Sequence, residues 1–147
     1  MDQHNVINQF NPILIVIIVM IGAELSMREH VSRVAQVCFF HLRRLRPMRA
    51  RLGRDVTLTL VTSLVLSQLD YCNSVLAGLP ASILAPLQRV LHASARLVNG
   101  LRPQDHVSST LKELHWLPIK QQVDYKLCLI VHKVVVGHVP SLSLIHI

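Results

Sequence analysis

Carboxylates are scarce in this chain, and no two stand side by side. Eight Asp and Glu oppose fifteen Lys and Arg, a formal net charge of +7, with nine His besides. Asp2, Asp55, Asp70, Asp105 and Asp124 are each isolated. Adjacent carboxylates of the kind that seat two divalent cations for phosphoryl transfer are therefore missing from the sequence. Aromatic residues number only six, so a core must be built mostly from Leu and Val. Three cysteines, Cys38, Cys72 and Cys128, are odd in number and far apart. That excludes a disulfide framework and a Cys-x-x-Cys knuckle, and leaves buried free thiols in a reducing compartment as the expectation. Long apolar runs are also lacking. Ile13 to Ala23 gives eleven residues, where a membrane span needs about twenty. The preceding Met1-Asp2-Gln3-His4-Asn5 has no Lys or Arg, which speaks against a signal peptide.

What is present is helical periodicity in one domain-sized chain. Ser26-Met27-Arg28-Glu29 has the form of a capping box. Behind it Met27, Val31, Val34, Ala35, Cys38, Leu42 and Leu45 fall on one helical stripe, with Arg28, Arg33, Gln36, Arg43 and Arg44 off it. Pro47 ends that helix. A second helix, capped by Asp55, is expected to about Leu69. It is apolar nearly all round, through Val56, Leu58, Leu60, Val61, Leu64, Val65, Leu66 and Leu69. It is therefore placed at the centre, with Leu64 buried. Gly78-Leu79-Pro80 breaks the chain. A third helix spans about Ser82 to Asn99 with Leu84, Leu87, Leu91, Ser94, Ala95 and Val98 inward. Arg89, His92 and Arg96 lie on its wetter side, and Gly100 takes the left-handed C′ position. A short helix over Ser108–Leu114 and a last one from Pro118 to Gly137 follow. The last should bury Ile119, Val123, Leu127, Ile130, Val131 and Val134. The expected fold class is all-α, an irregular bundle of four to five helices. A short apolar segment precedes it, strand or helix, with a buried strand favoured by its β-branched residues.

Leu69-Asp70-Tyr71-Cys72-Asn73-Ser74-Val75-Leu76-Ala77-Gly78-Leu79-Pro80 resembles a segment near the C-terminal end of reverse transcriptases from non-LTR (LINE-type) retrotransposons. The resemblance continues through Pro86-Leu87-Gln88-Arg89-Val90, Ala95-Arg96-Leu97-Val98, Arg102-Pro103-Gln104-Asp105-His106 and Glu113-Leu114-His115-Trp116-Leu117-Pro118. It ends near Tyr125-Lys126-Leu127-Cys128-Leu129. It implies three parts: residues 1–23, apolar and not homologous to the family; residues 24–140, a helical fragment of the region after the palm; and residues 141–147. Leu142-Ser143-Leu144-Ile145-His146-Ile147 is similar to the translation of a transposase end used in library adaptors, so 141–147 reads as a non-native tail. In that family polymerisation needs an aromatic-x-Asp-Asp motif and an upstream Asp, which this sequence lacks. The resemblance therefore implies a piece of an RNA-directed DNA polymerase without the chemistry, and no enzyme.

The strongest functional signal is cationic. Arg43, Arg44, Arg46, Arg49, Arg51 and Arg54 fall within twelve residues with no acid among them. A guanidinium is a planar fork that fits phosphate oxygens, so the cluster suits the RNA or DNA backbone without reading sequence. A solvated basic surface that binds nothing is the alternative. The family's region after the palm is a thumb-like cradle for primer and template, which favours the first. Three other constellations read as structural. Asp70-Tyr71-Cys72-Asn73 suits caps and turns better than a nucleophile. His106, His115 and Cys128, or Cys38 with His41, match no common zinc spacing, so no metal or other cofactor is expected. Trp116 suits a packing anchor better than a base-stacking platform. The expected function is at most weak, sequence-independent nucleic-acid binding, inside the cell if the chain is expressed, with no small-molecule substrate. The alternative is membrane association through residues 10–25 with a basic flank.

Overall fold

The computed structural model describes residues 12–73 and 76–137, with the side chains of residues 12–15 and Cys72 left aside. Among the described residues the chain is all-α and has no strand. The elements are α1 (Pro12–Leu45), a 3₁₀ turn (Arg46–Met48), α2 (Arg49–Val61), a π-helical turn (Thr62–Leu66), α3 (Ser67–Asn73), α4 (Ala81–Asn99), α5 (Ser108–Glu113) and α6 (Ile119–Val135). The expectations for residues 1–11 and for the tail 141–147 lie outside the described residues.

α4 is the centre of the bundle, touching α1, α2, α5 and α6. Ile83, Leu84, Leu87, Val90, Leu91, Ser94, Ala95, Leu97 and Val98 are all buried along it. This corrects the expectation that the helix after Asp55 is the central one. Of that helix Val61, Val65 and Leu69 are buried, but Leu64 is 36% exposed. The π turn explains the pattern. Four α-helical residues overshoot one full turn, whereas a π turn is wider and undershoots it. Mixing the two keeps Val61, Val65 and Leu69 in line against α1 and leaves Leu64 on the far side. The outer face carries hydroxyls that bond back four residues: Thr59 to the Asp55 carbonyl, Ser63 to the Thr59 carbonyl and Ser67 to the Ser63 carbonyl. Such back-bonding competes with the helix ladder and accompanies bends.

The stripe on α1 is as expected: Val31, Ala35, Cys38, Leu42 and Leu45 are buried. The start of α1 is not. Ser26 lies inside the helix, so the capping box does not form, and Glu29 instead pairs with Arg33. The apolar run before it is helix, not strand. Extending an existing helix adds one hydrogen bond per residue without a new nucleus, whereas an isolated strand has no partner. Val16 to Ile21 are exposed on that extension. Among the described residues no helix is long and apolar enough to cross a membrane.

Asp55 makes no capping bond. The helix begins earlier, at Arg49, and is broken at Gly53 (φ 78°, ψ 175°), a conformation that glycine alone adopts readily. Thr57 donates to the Gly53 carbonyl at 2.6 Å and closes the restarted turn. At its other end α4 finishes as expected. Gly100 is left-handed (φ 66°). Leu101 N–H donates to the Arg96 carbonyl and Gly100 N–H to the Leu97 carbonyl, which makes a Schellman motif. α6 departs from expectation: only Ile119 and Val123 are buried, and Leu127, Ile130, Val131 and Val134 are exposed. The helix meets α3 and α4, and from Leu127 to Gly137 every residue is exposed.

Candidate nucleic-acid interface

The arginine-rich segment is the corner where α1 turns, through the 3₁₀ residues, into α2. Pro47 forbids a continuous helix there and forces the turn. The corner abuts the C-terminal end of α4, and that contact splits the six arginines into two sets.

Arg49 and Arg54 are consumed by the fold. Arg49 donates from Nε to the Leu97 carbonyl at 3.2 Å and from Nη2 to the Val98 carbonyl at 3.1 Å. These are carbonyls of the last turn of α4, where a cation is favoured by the helix dipole as well as by the bonds themselves. Arg54 donates to Asn99 Oδ1 at 3.0 Å and pairs with Glu113 on α5 at 3.1 Å. Asn99 Nδ2 in turn donates to the other Glu113 oxygen. The Arg54–Asn99–Glu113 triangle therefore joins α2, α4 and α5.

Arg43, Arg44, Arg46 and Arg51 are exposed and form no ion pair with a described residue. The Arg44 guanidinium lies 5.6 Å from the centre of the Phe40 ring, within cation–π range. Their charges are thus available to solvent, or to an anion.

Sequence reasoning missed Arg96. It sits in the last turn of α4, half-buried, and with Arg46 and Arg49 lines a concave pocket of about 380 Å³. Its Nε is buried with no hydrogen-bond acceptor among the described residues. The visible signal was Gly100, which fixes the helix end and so places Arg96 near the turn that carries the cluster.

The remaining candidates are brought into other surroundings. Asp70 receives Lys126 Nζ at 2.7 Å, and Asn73 Nδ2 donates to Gln122 Oε1 at 3.2 Å. These side chains clip α3 to α6, and Asn73 also ends α3 with its carbonyl accepting from Leu76 N–H at 3.3 Å. Trp116 packs half-buried against the core. Its backbone N–H donates to the Leu111 carbonyl and that of His115 to the Lys112 carbonyl, a second Schellman motif with His115 left-handed (φ 57°). Cys38 is buried, but Cys128 is exposed, which corrects the expectation for that thiol. No group of three His, Cys, Asp or Glu among the described residues could hold a metal. The imidazole of His92, on the α4 face turned toward α6, is held below its ordinary value by burial and, secondarily, by the Arg96 cation. The chain matches no family model, no curated protein and no solved structure.

Proposed function

We propose that this chain is a non-catalytic relative of the helical region that follows the palm in non-LTR retrotransposon reverse transcriptases, and that it binds nucleic acid through backbone phosphates. The observation that supports binding is the corner itself. Arg43, Arg44, Arg46 and Arg51 are exposed at one corner, and no carboxylate among the described residues pairs with them. Guanidinium groups so placed track phosphates and release counterions, which gives affinity without sequence preference. The Phe40 ring beside them is covered by the Arg44 guanidinium and met edge-on by His41, so stacking on successive bases contributes little. RNA and DNA are expected to bind alike. The ancestry rests on the ordered motifs from Leu69 to Leu129, and the lack of polymerase chemistry on the absence of an Asp-Asp pair anywhere in the sequence.

The test is direct titration of labelled single-stranded RNA and DNA of unrelated sequences. Comparable affinities that weaken steeply with salt support the reading. No binding at low salt refutes it.

A further inference from the structure

Three elements deliver a guanidinium to one concavity. Arg46 comes from the 3₁₀ turn, Arg49 from the start of α2 and Arg96 from the last turn of α4. Among the described residues no carboxylate lines the pocket, whose other walls are Ala93, Leu97, Gly100, Leu101 and Pro103. The competing explanation is that these arginines only neutralise the end of α4. That end carries about half a negative charge, and its exposed carbonyls at Leu97 and Val98 are already taken by Arg49 alone. Two cations are left over. Arg96 Nε has no acceptor among the described residues, so no bond from that atom ties this guanidinium to the end of α4. Arg49 is held at two atoms and leaves Nη1 unbonded, so one wall is already ordered. The volume of about 380 Å³ leaves space for a phosphate group with several waters, each of about 30 Å³.

We propose that this pocket seats one phosphate of a bound nucleic-acid backbone. The Arg96 Nη atoms and the Arg46 fork donate to its two non-bridging oxygens, and Arg49 Nη1 closes the third side. The inference rests on the nucleic-acid reading above and adds to it a defined phosphate position, a residue outside the sequence cluster, and a division of labour. Arg43, Arg44 and Arg51 attract the strand from the open surface, and the pocket fixes its register on the protein.

The experiment follows the arginine Nε–H resonances of the full chain by ¹⁵N NMR, with the Arg96 signal identified by its loss in Arg96→Gln. Inorganic phosphate and oligo-dT are titrated separately. The salt slope of oligo-dT affinity is measured for the parent, Arg46→Gln, Arg96→Gln and the triple Arg43, Arg44, Arg51→Gln. The expected result is movement of the Arg96 signal with both probes. Each single variant should lower the slope, by at most about 0.7, the value for one whole phosphate contact on a single strand. Arg46 is exposed on a turn, so Arg46→Gln keeps the test sound if Arg96→Gln misfolds. A still Arg96 signal, with unchanged slopes for the single variants and a reduced slope for the triple, overturns the pocket and spares the nucleic-acid reading. Movement with inorganic phosphate but not oligo-dT makes it a free-phosphate site and overturns the backbone assignment. Absence of oligo-dT binding by the parent overturns both.

Discussion

Replacing Arg49 by Met should destabilise the fold well beyond what an arginine in a charged run would suggest. Methionine keeps much of the stem's packing and removes every donor. The two bonds lost run from a charged donor to backbone carbonyls of α4, at 3.2 and 3.1 Å. A hydrogen bond to a charged group contributes about 1.5–3 kcal/mol, so two at the lower end sum to about 3 kcal/mol. Arg49 is half-buried, and water reaching the abandoned carbonyls recovers part of this. The expected loss is about 2–3 kcal/mol, or roughly 6–10 °C in Tm for a chain of this size. Urea unfolding read by far-UV circular dichroism and by Trp116 fluorescence measures it. Trp116 is the single tryptophan and packs against the core. Both probes should give one transition with unchanged m and a lower midpoint. Arg51→Gln, on the same helix but exposed, is the control and should leave the midpoint where it was. If Arg49→Met matches the control, the clamp on the end of α4 contributes nothing and the division of the six arginines falls.

Truncating Leu91, fully buried on the central helix, should cost about 2–5 kcal/mol. Leu64→Ala, at a position 36% exposed, should cost clearly less, and equal costs in urea unfolding would contradict the placement of α4 at the centre. The His92 pKa is lower in the folded chain than its ordinary value of 6.5, through burial first and Arg96 second. The unfolded chain therefore takes the proton more readily. Stability should be full above about pH 7 and decline as pH falls through 6.5 and below. His92→Gln should flatten that part of the profile, and an unchanged profile would remove His92 as its source. Pure protein with magnesium or manganese on a primed template should incorporate no nucleotide, and any metal-dependent incorporation would refute the non-catalytic reading.

The parts of the fold that sequence patterning reached are those fixed by local rules. The α1 stripe from Val31 to Leu45, the inward face of α4 and the left-handed Gly100 each follow from residue spacing or backbone freedom within a single element. The failures share a different cause. Ser26 to Glu29 has the chemistry of a helix start, but a capping box operates only where the upstream chain leaves the helix, and here it does not. Leu64 and the outer residues of α6 are apolar, but burial also requires a neighbour on that side. No period in the sequence announces whether one is present. The candidate site divides the same way. The density of arginines was plain, whereas their fates depend on partners 45 to 59 residues away. Nothing local distinguishes Arg49, bound to the end of α4, from Arg51 two positions on. Arg96 stayed hidden because its pocket exists only once three elements meet.

The most direct test of the central claim is the salt dependence of nucleic-acid affinity for the parent and for the chain with Arg43, Arg44 and Arg51 changed together to Gln. These three are exposed and unpaired among the described residues, so the folded state should survive the change. A plot of log affinity against log salt should be linear for both proteins. The variant should bind more weakly at every salt concentration, with a slope shallower by about 0.7–0.9 for each phosphate contact removed. Equal affinity and equal slope for the two proteins would contradict the claim that the arginine corner carries the binding.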